Sequence, residues 1–211
     1  MNPRTLRRLV AGPAGQIECA FDAPAGEAIG LAVVCHPHPQ HGGTMDNKVV
    51  QTLARAFVQL GLRSVRFNFR GVGASQGSWD EGRGEVDDAL AVIAASREAD
   101  DGAALPLLLA GFSFGGFVAA QAATLLPETA RAQRLVLVGP STQAQRVPAV
   151  PANTVVIHGE TDDVVPLAAT LDWARPQTLP VIVLPGVGHF FHGQLALLRS
   201  VVVQQLVPVA G

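Results

Sequence analysis

A serine, a pair of aspartates and a pair of histidines follow one another along this chain, each group just past a short apolar run. The serine is Ser113, in LLLAGFSFGGFVAA, where Gly111-Phe112-Ser113-Phe114-Gly115 breaks an otherwise apolar stretch. A strand that passes into a helix across so few residues must reverse sharply. The residue at the apex then takes a strained backbone, and glycines two places to either side keep side chains out of the turn. The hydroxyl is presented at the start of a helix, where the dipole favours developing negative charge. A hydroxyl is a weak nucleophile until an imidazole takes its proton and a carboxylate orients that imidazole. TVVIHGETDDVVP offers Asp162 and Asp163 for the carboxylate, and VIVLPGVGHFFHG offers His189 and His192 for the imidazole. The competing reading, a phosphate-binding loop, needs a Lys-Ser or Lys-Thr pair, and none stands there.

A second concentration of chemistry is CHPHPQHGG, residues 35–43, with His36, His38 and His41 around Pro37 and Pro39. Three histidines so close raise the question of a metal. An H-x-H pair beyond a strand occurs in metal-dependent amidohydrolases, but their remaining ligands come from other strands of a closed barrel. At 211 residues the chain is too short for eight strand–helix units. No metal and no cofactor is expected. The prolines direct attention to the backbone instead: they lack an N–H, so His38 is the only donor among residues 37–39.

These groups need a frame. Apolar runs recur at 16–21, 31–35, 64–69, 106–112, 134–139, 154–159 and 180–186, mostly continuous, as in strands buried on both faces of a parallel sheet. LRRLV at 6–10 is expected as an extra edge strand. Helical spacing falls between the runs, at 47–61, 84–100, 114–126, 166–174 and 192–207, which puts His192 in the first turn of the last helix. Such alternation predicts an α/β fold with a mostly parallel sheet and helices on both faces, in which ligands bind beyond the carboxyl ends of the strands. All six histidines fall at or after strand ends, and so at one edge of the sheet.

Composition bounds the rest. The chain is 48% hydrophobic and 15% charged, the balance of a well-filled core, and residues 1–211 are expected to form one domain. With a net charge of −2 and Lys48 as the only lysine, there is no electrostatic footprint for nucleic acid. No apolar run reaches the roughly 20 residues of a membrane span. No membrane association is expected, and Cys19 and Cys35, both in apolar runs, read as buried thiols. A cytoplasmic protein acting on a small molecule is the expectation.

Together these motifs resemble the α/β-hydrolase superfamily, and HPHPxxGGTMxNK, FNFRGVGxSxG, GFSFGG and GHFFHG resemble a group of small bacterial serine hydrolases within it. The resemblance spans essentially the whole chain. It implies the order serine, acid, histidine, with the acid in H-G-x-x-D-x-x-V-P. His158, Gly159, Asp162, Val165 and Pro166 match that pattern, which selects Asp162 over Asp163. The turn after the last strand selects His189. The loop 67–75 resembles the family's D-x-R-G-x-G-x-S turn with Asn68 in place of Asp, and Arg70 and Ser75 read as structural. The resemblance also implies an oxyanion hole from the backbone N–H groups of Phe114 and His38. The connection at 140–153 leaves no room for a cap, so an open site is expected, with Phe112, Phe190, Phe191, Trp79 and His36 lining it. The implied activity is a carboxylesterase-type hydrolysis through an acyl-enzyme. The alternatives are a thioester or aminoacyl bond, or a non-catalytic binding module on the same fold.

Overall fold

The computed structural model describes residues 5–98 and 105–207. It contains one eight-stranded sheet in the order β1-β2-β4-β3-β5-β6-β7-β8. The strands are β1 (Leu6–Gly12), β2 (Gly15–Asp22), β3 (Gly30–Cys35), β4 (Leu62–Phe67), β5 (Leu107–Phe112), β6 (Ala132–Val138), β7 (Val155–Gly159) and β8 (Val181–Leu184). The hairpin β1–β2 and the pair β2–β4 are antiparallel, and β4, β3, β5, β6, β7 and β8 run parallel. The continuous apolar runs are the central strands: every residue of β3 and β5 is buried. β1 is an edge strand, as β8 is at the other side, and most of its residues are exposed.

Among the described residues five α-helices cover the sheet: α1 (Lys48–Gln59), α2 (Arg83–Glu98), α3 (Phe114–Leu125), α4 (Leu167–Ala174) and α5 (Leu195–Leu206). Strand residues alternate between two cores, as the period of 2 requires. Leu31, Val33, Leu107 and Leu109 pack with α2 and α3, while Ala32, Val34, Leu108 and Ala110 pack with α1 and α5. Asn47 starts α1 by accepting from the N–H groups of Val49 and Val50 at 2.9 and 3.4 Å. α3 is rich in Ala and Gly, and residues Phe114–Ala120 are all buried. Small side chains let this helix lie close against the centre of the sheet.

Two of these expectations shift. β4 ends at Phe67 instead of 69, because the N–H of Phe69 is taken by the His36 imidazole at 3.1 Å. The last helix begins at Leu195, so His192 lies in the turn before it and not in its first turn. Gly193, at φ 73°, holds that turn out of helical conformation. Of the helix expected at 84–100, residues 99–100 lie outside the described residues. The connection from β6 to β7, residues 139–154, contains no helix and forms no cap. Among the described residues no helix is long and apolar enough to cross a membrane.

Candidate active site

Ser113 stands where β5 passes into α3. Its backbone lies at φ 56°, ψ −121°, a region that costs a non-glycine residue on the order of 1–3 kcal/mol. The strain is held by three bonds: Ser113 N–H donates to Val138 O (2.9 Å), and its carbonyl accepts from Gly116 (2.9 Å) and Ser141 (3.2 Å). The side chain caps nothing, so the hydroxyl is not consumed by the helix it starts. The glycines of the motif are required by close approach. A methyl at Gly111 would meet the backbone of Gly115, and one at Gly115 would meet the carbonyls of Cys35 and His36.

Asp162 and His189 come together. His189 Nδ1 lies 2.7 Å from Asp162 Oδ2. Asp162 Oδ1 accepts from the N–H groups of Val164 (3.0 Å) and Val165 (2.7 Å), which fix the carboxylate in its turn. Burial works to raise the Asp162 carboxyl, but the His189 bond and the Val165 N–H hold it below the usual carboxylate range. Both side chains are almost wholly buried. Asp163, the competing acid, is exposed, and so is His192, the competing base. The His189 ring packs on Phe112, the residue before the serine, with centroids 4.8 Å apart.

The loop after β3 sits on the other side of the elbow. His38 O accepts from His41 N (3.1 Å) and Gly43 N (3.0 Å), which close it into a tight turn. Met45 N donates to Asn68 Oδ1 (2.8 Å), and Arg66 holds Met45 O at 3.0 Å. The N–H of Phe114, in the first turn of α3, has no intrahelical acceptor by geometry. Among the described residues neither this N–H nor that of His38 is bonded within the protein. The two side chains are in contact, with ring centroids 5.1 Å apart.

Several expected wall residues are placed differently. His36, Phe112 and Phe191 are fully buried and line no open surface. His36 is structural: Nδ1–H donates to Pro37 O (2.6 Å), Nε2 accepts from Phe69 N–H, and burial lowers its pKa to about 3. Phe191 is driven into the core beneath α5 at a positive φ of 52° and anchors the loop that carries His189. Of the pair Phe190–Phe191, only Phe190 stays outside, 46% exposed. Trp79 is half-buried and lies 4.6 Å from His38 and 5.1 Å from Phe114, ring to ring. A groove of about 770 Å³ between the end of α3 and β6 shares no residue with this site.

Arg70 and Ser75 do hold structure. Arg70 is gripped by buried Asp88, at 3.0 Å from Nε and 2.8 Å from Nη2, and Ser75 Oγ bridges Asn68 O and Glu18 N. Asn68 replaces the more common Asp for a visible reason: its Nδ2 donates to Glu18 Oε2 at 2.8 Å, where a second carboxylate would be repelled.

Some supporting residues give no signal of their role in the sequence. Gly139, at φ 48°, passes so close that a methyl there would contact Asp162 and His189 at 3.4 Å. His158, in the acid's own motif, donates from Nε2 to Val165 O (2.8 Å) and lies 3.4 Å from Asp162 Oδ2. A carboxylate at 85, in a helix's first turn, reads as a dipole partner. Glu85 is instead fully buried and accepts from Asp80 N and Gly82 N, so it pins the loop that carries Trp79.

The fold is shared with known proteins. A crystal structure of an α/β serine hydrolase without a lid, from Xanthomonas campestris, superposes with a TM-score of 0.89 at 35% identity, over 100% of this chain and 99% of that one. The chain belongs to the lidless α/β serine hydrolases. The hydrolase also superposes on an α/β serine hydrolase homologue from Coxiella burnetii, with a TM-score of 0.84 at 39% identity over 96% of this chain and 97% of that one. Residues 32–154 match the family described as serine aminopeptidase, S33. An uncharacterized protein of Rickettsia prowazekii is 42% identical over 117 residues, 56% of the hydrolase, and that match spans only 49% of the curated relative.

Proposed function

We propose that the hydrolase cleaves carboxylic esters of small molecules through an acyl-enzyme on Ser113. The observation that carries this reading is the buried Asp162–His189 pair, 2.7 Å apart, with the His189 ring packed on Phe112, the residue before a serine held in a strained turn with an uncapped hydroxyl. In this mechanism His189 takes the Ser113 proton as Oγ attacks the acyl carbon, and returns it to the leaving alkoxide. Asp162 keeps Nδ1–H in place and stabilises the imidazolium. The unbonded N–H groups of Phe114 and His38 hold the oxyanion. Water, deprotonated by His189, then releases the acid and restores Ser113.

An ester is favoured over an aminoacyl amide by what surrounds the serine. An aminoacyl substrate brings an ammonium group that needs a free carboxylate. The nearest acids on the Trp79 loop, Asp80 and Glu81, are already paired with Arg83 at 3.1 and 3.6 Å. The rings of Phe190 and His192 are also exposed near His189. The free, buried thiols Cys19 and Cys35 suit a reducing compartment, and a cytoplasmic location is part of the proposal.

The test is a set of substrates sharing one acid: ethyl ester, thioethyl ester and amide. The ester should turn over fastest, with activity lost in Ser113→Ala. A Ser113→Ala protein with wild-type turnover removes the mechanism, and faster amide hydrolysis moves the assignment to peptide bonds.

A further inference from the structure

The bonds that bury His36 reach the loop after β3. Phe69 N–H, which can only donate, meets His36 Nε2 at 3.1 Å, so that nitrogen offers its lone pair. Burial keeps the ring neutral by lowering its pKa to about 3, so its one proton sits on Nδ1. Nδ1 lies 2.6 Å from Pro37 O, a group that can only accept. The imidazole thus joins two backbone groups, accepting from one and donating to the other. It is fully buried, and its ring packs on Phe69 with centroids 4.3 Å apart, so it has no room to turn.

Pro37 O belongs to the peptide unit whose other end is His38 N–H. Peptide bonds among the described residues are trans. In a planar trans unit the C=O and the N–H point in opposite directions. A carbonyl drawn inward onto buried His36 therefore turns the His38 N–H the other way, where no group of the described residues accepts it. The unit is hemmed in on its other sides as well. Gly43 packs against it: a methyl there would strike Pro37 O and His38 O, and Gly43 N–H donates to His38 O at 3.0 Å. The His38 ring is covered on one face by His41, with centroids 4.4 Å apart, and on the other by Trp79 at 4.6 Å.

We infer that His36 is a positioning residue for the reaction: its Nδ1–H holds the Pro37 carbonyl so that the N–H of the same peptide unit, on His38, faces the oxyanion. This rests on the ester-cleaving reading, in which that N–H is one of the two oxyanion donors. His36 touches no reacting atom and exchanges no proton. It acts in two ways. It fixes the plane of the peptide, and a hydrogen bond into the carbonyl polarises the unit and strengthens its N–H as a donor. Such a donor works when charge forms on the oxygen, so its loss is felt in kcat and hardly in KM.

The first measurement uses the wild-type protein. Nitrogen NMR of the His36 imidazole should find Nδ1 protonated and Nε2 bare, and a proton on Nε2 overturns the inference. This reading stands even where a variant fails to fold. The second is kinetic, with ethyl butyrate as substrate. His36→Leu fills the space and deletes both bonds. Its kcat should fall about 10²-fold while KM stays within about twofold. His36→Gln, whose amide offers one acceptor and one donor side by side, should bring kcat back to within about tenfold of wild type. Wild-type kcat in folded His36→Leu overturns the inference, as does equal loss in the Leu and Gln variants or a loss carried by KM. The two readings fail separately. Wild-type turnover in Ser113→Ala overturns the esterase reading and this inference with it. An inactive Ser113→Ala beside a fully active His36→Leu overturns this inference alone.

Discussion

Gly115→Ala should disable the site without touching a reacting group. Gly115 lies in the first turn of α3, where its φ is not positive, so alanine by propensity alone would stabilise the helix by about 1 kcal/mol. The surroundings decide otherwise. An added Cβ would lie 2.5 Å from the Cys35 carbonyl carbon and from His36 O, both backbone atoms. An ordinary van der Waals contact begins near 3.4 Å. Cys35 O would be closer still, so the helix start and the loop after β3 must separate by at least about 3.4 − 2.5 = 0.9 Å, and no side-chain rotation relieves it. These two segments carry Phe114 N–H and His38 N–H. A displacement of about 1 Å at a reacting centre costs on the order of 10²-fold, and loss of one oxyanion donor about 10²–10³. Gly115→Ala should thus lower kcat for a simple ester by about 10²–10³ with little change in KM, and lower stability by about 1–3 kcal/mol. Gly116→Ala is the control. Its Cβ would meet Pro140 at 3.2 Å, a contact that yields by a few tenths of an ångström, and kcat should fall less than about tenfold. Steady-state kinetics with urea denaturation of each variant reads both effects. Wild-type kcat in Gly115→Ala would refute the reasoning, as would an equal loss in the two variants.

Asp162→Asn should lower kcat by about 10⁴, because the amide nitrogen faces His189 Nδ1–H donor to donor, whereas exposed Asp163→Asn should cost less than about twofold; kinetics at pH 8 compares them. His36 makes folding acid-sensitive: its pKa is about 3 folded against 6.5 as the ordinary value, so the unfolded chain binds the proton first. Stability from this residue is fully present above pH 6.5 and falls toward pH 3, by about 1.4 kcal/mol per pH unit, and His36→Gln should flatten the slope of unfolding free energy by that amount. Asn68→Asp sets two carboxylates against each other at the 2.8 Å contact with Glu18. It should cost about 1–3 kcal/mol at pH 8, less as the pH falls and one carboxyl protonates, and Glu18→Gln in the same protein should recover most of the loss in urea unfolding.

The parts legible in the sequence are those governed by local rules. Continuous apolar runs located the strands, since residues buried on both faces leave no polar alternation. The elbow was legible because Gly111, Ser113 and Gly115 answer to one turn. Side-chain direction was not. Phe190 and Phe191 are identical in type and adjacent, yet one faces solvent and the other enters the core, a choice made by the positive φ at Phe191 and the space under α5. His36 and His38 are two residues apart, and only the fold shows that the first is spent on Phe69 while the second reaches the surface. Long-range ties were silent for the same reason. Glu85 reads as a helix-dipole acid until the backbone of Asp80 and Gly82 is seen to fold over it.

The central claim is that Ser113 is the nucleophile. Intact-mass spectrometry after incubation with diisopropyl fluorophosphate, followed by peptide mapping, tests it most directly. One phosphoryl adduct per chain, mapped to Ser113 and absent from Ser113→Ala, is the predicted result. An adduct on another residue, or an unmodified protein that still hydrolyses esters, would contradict it.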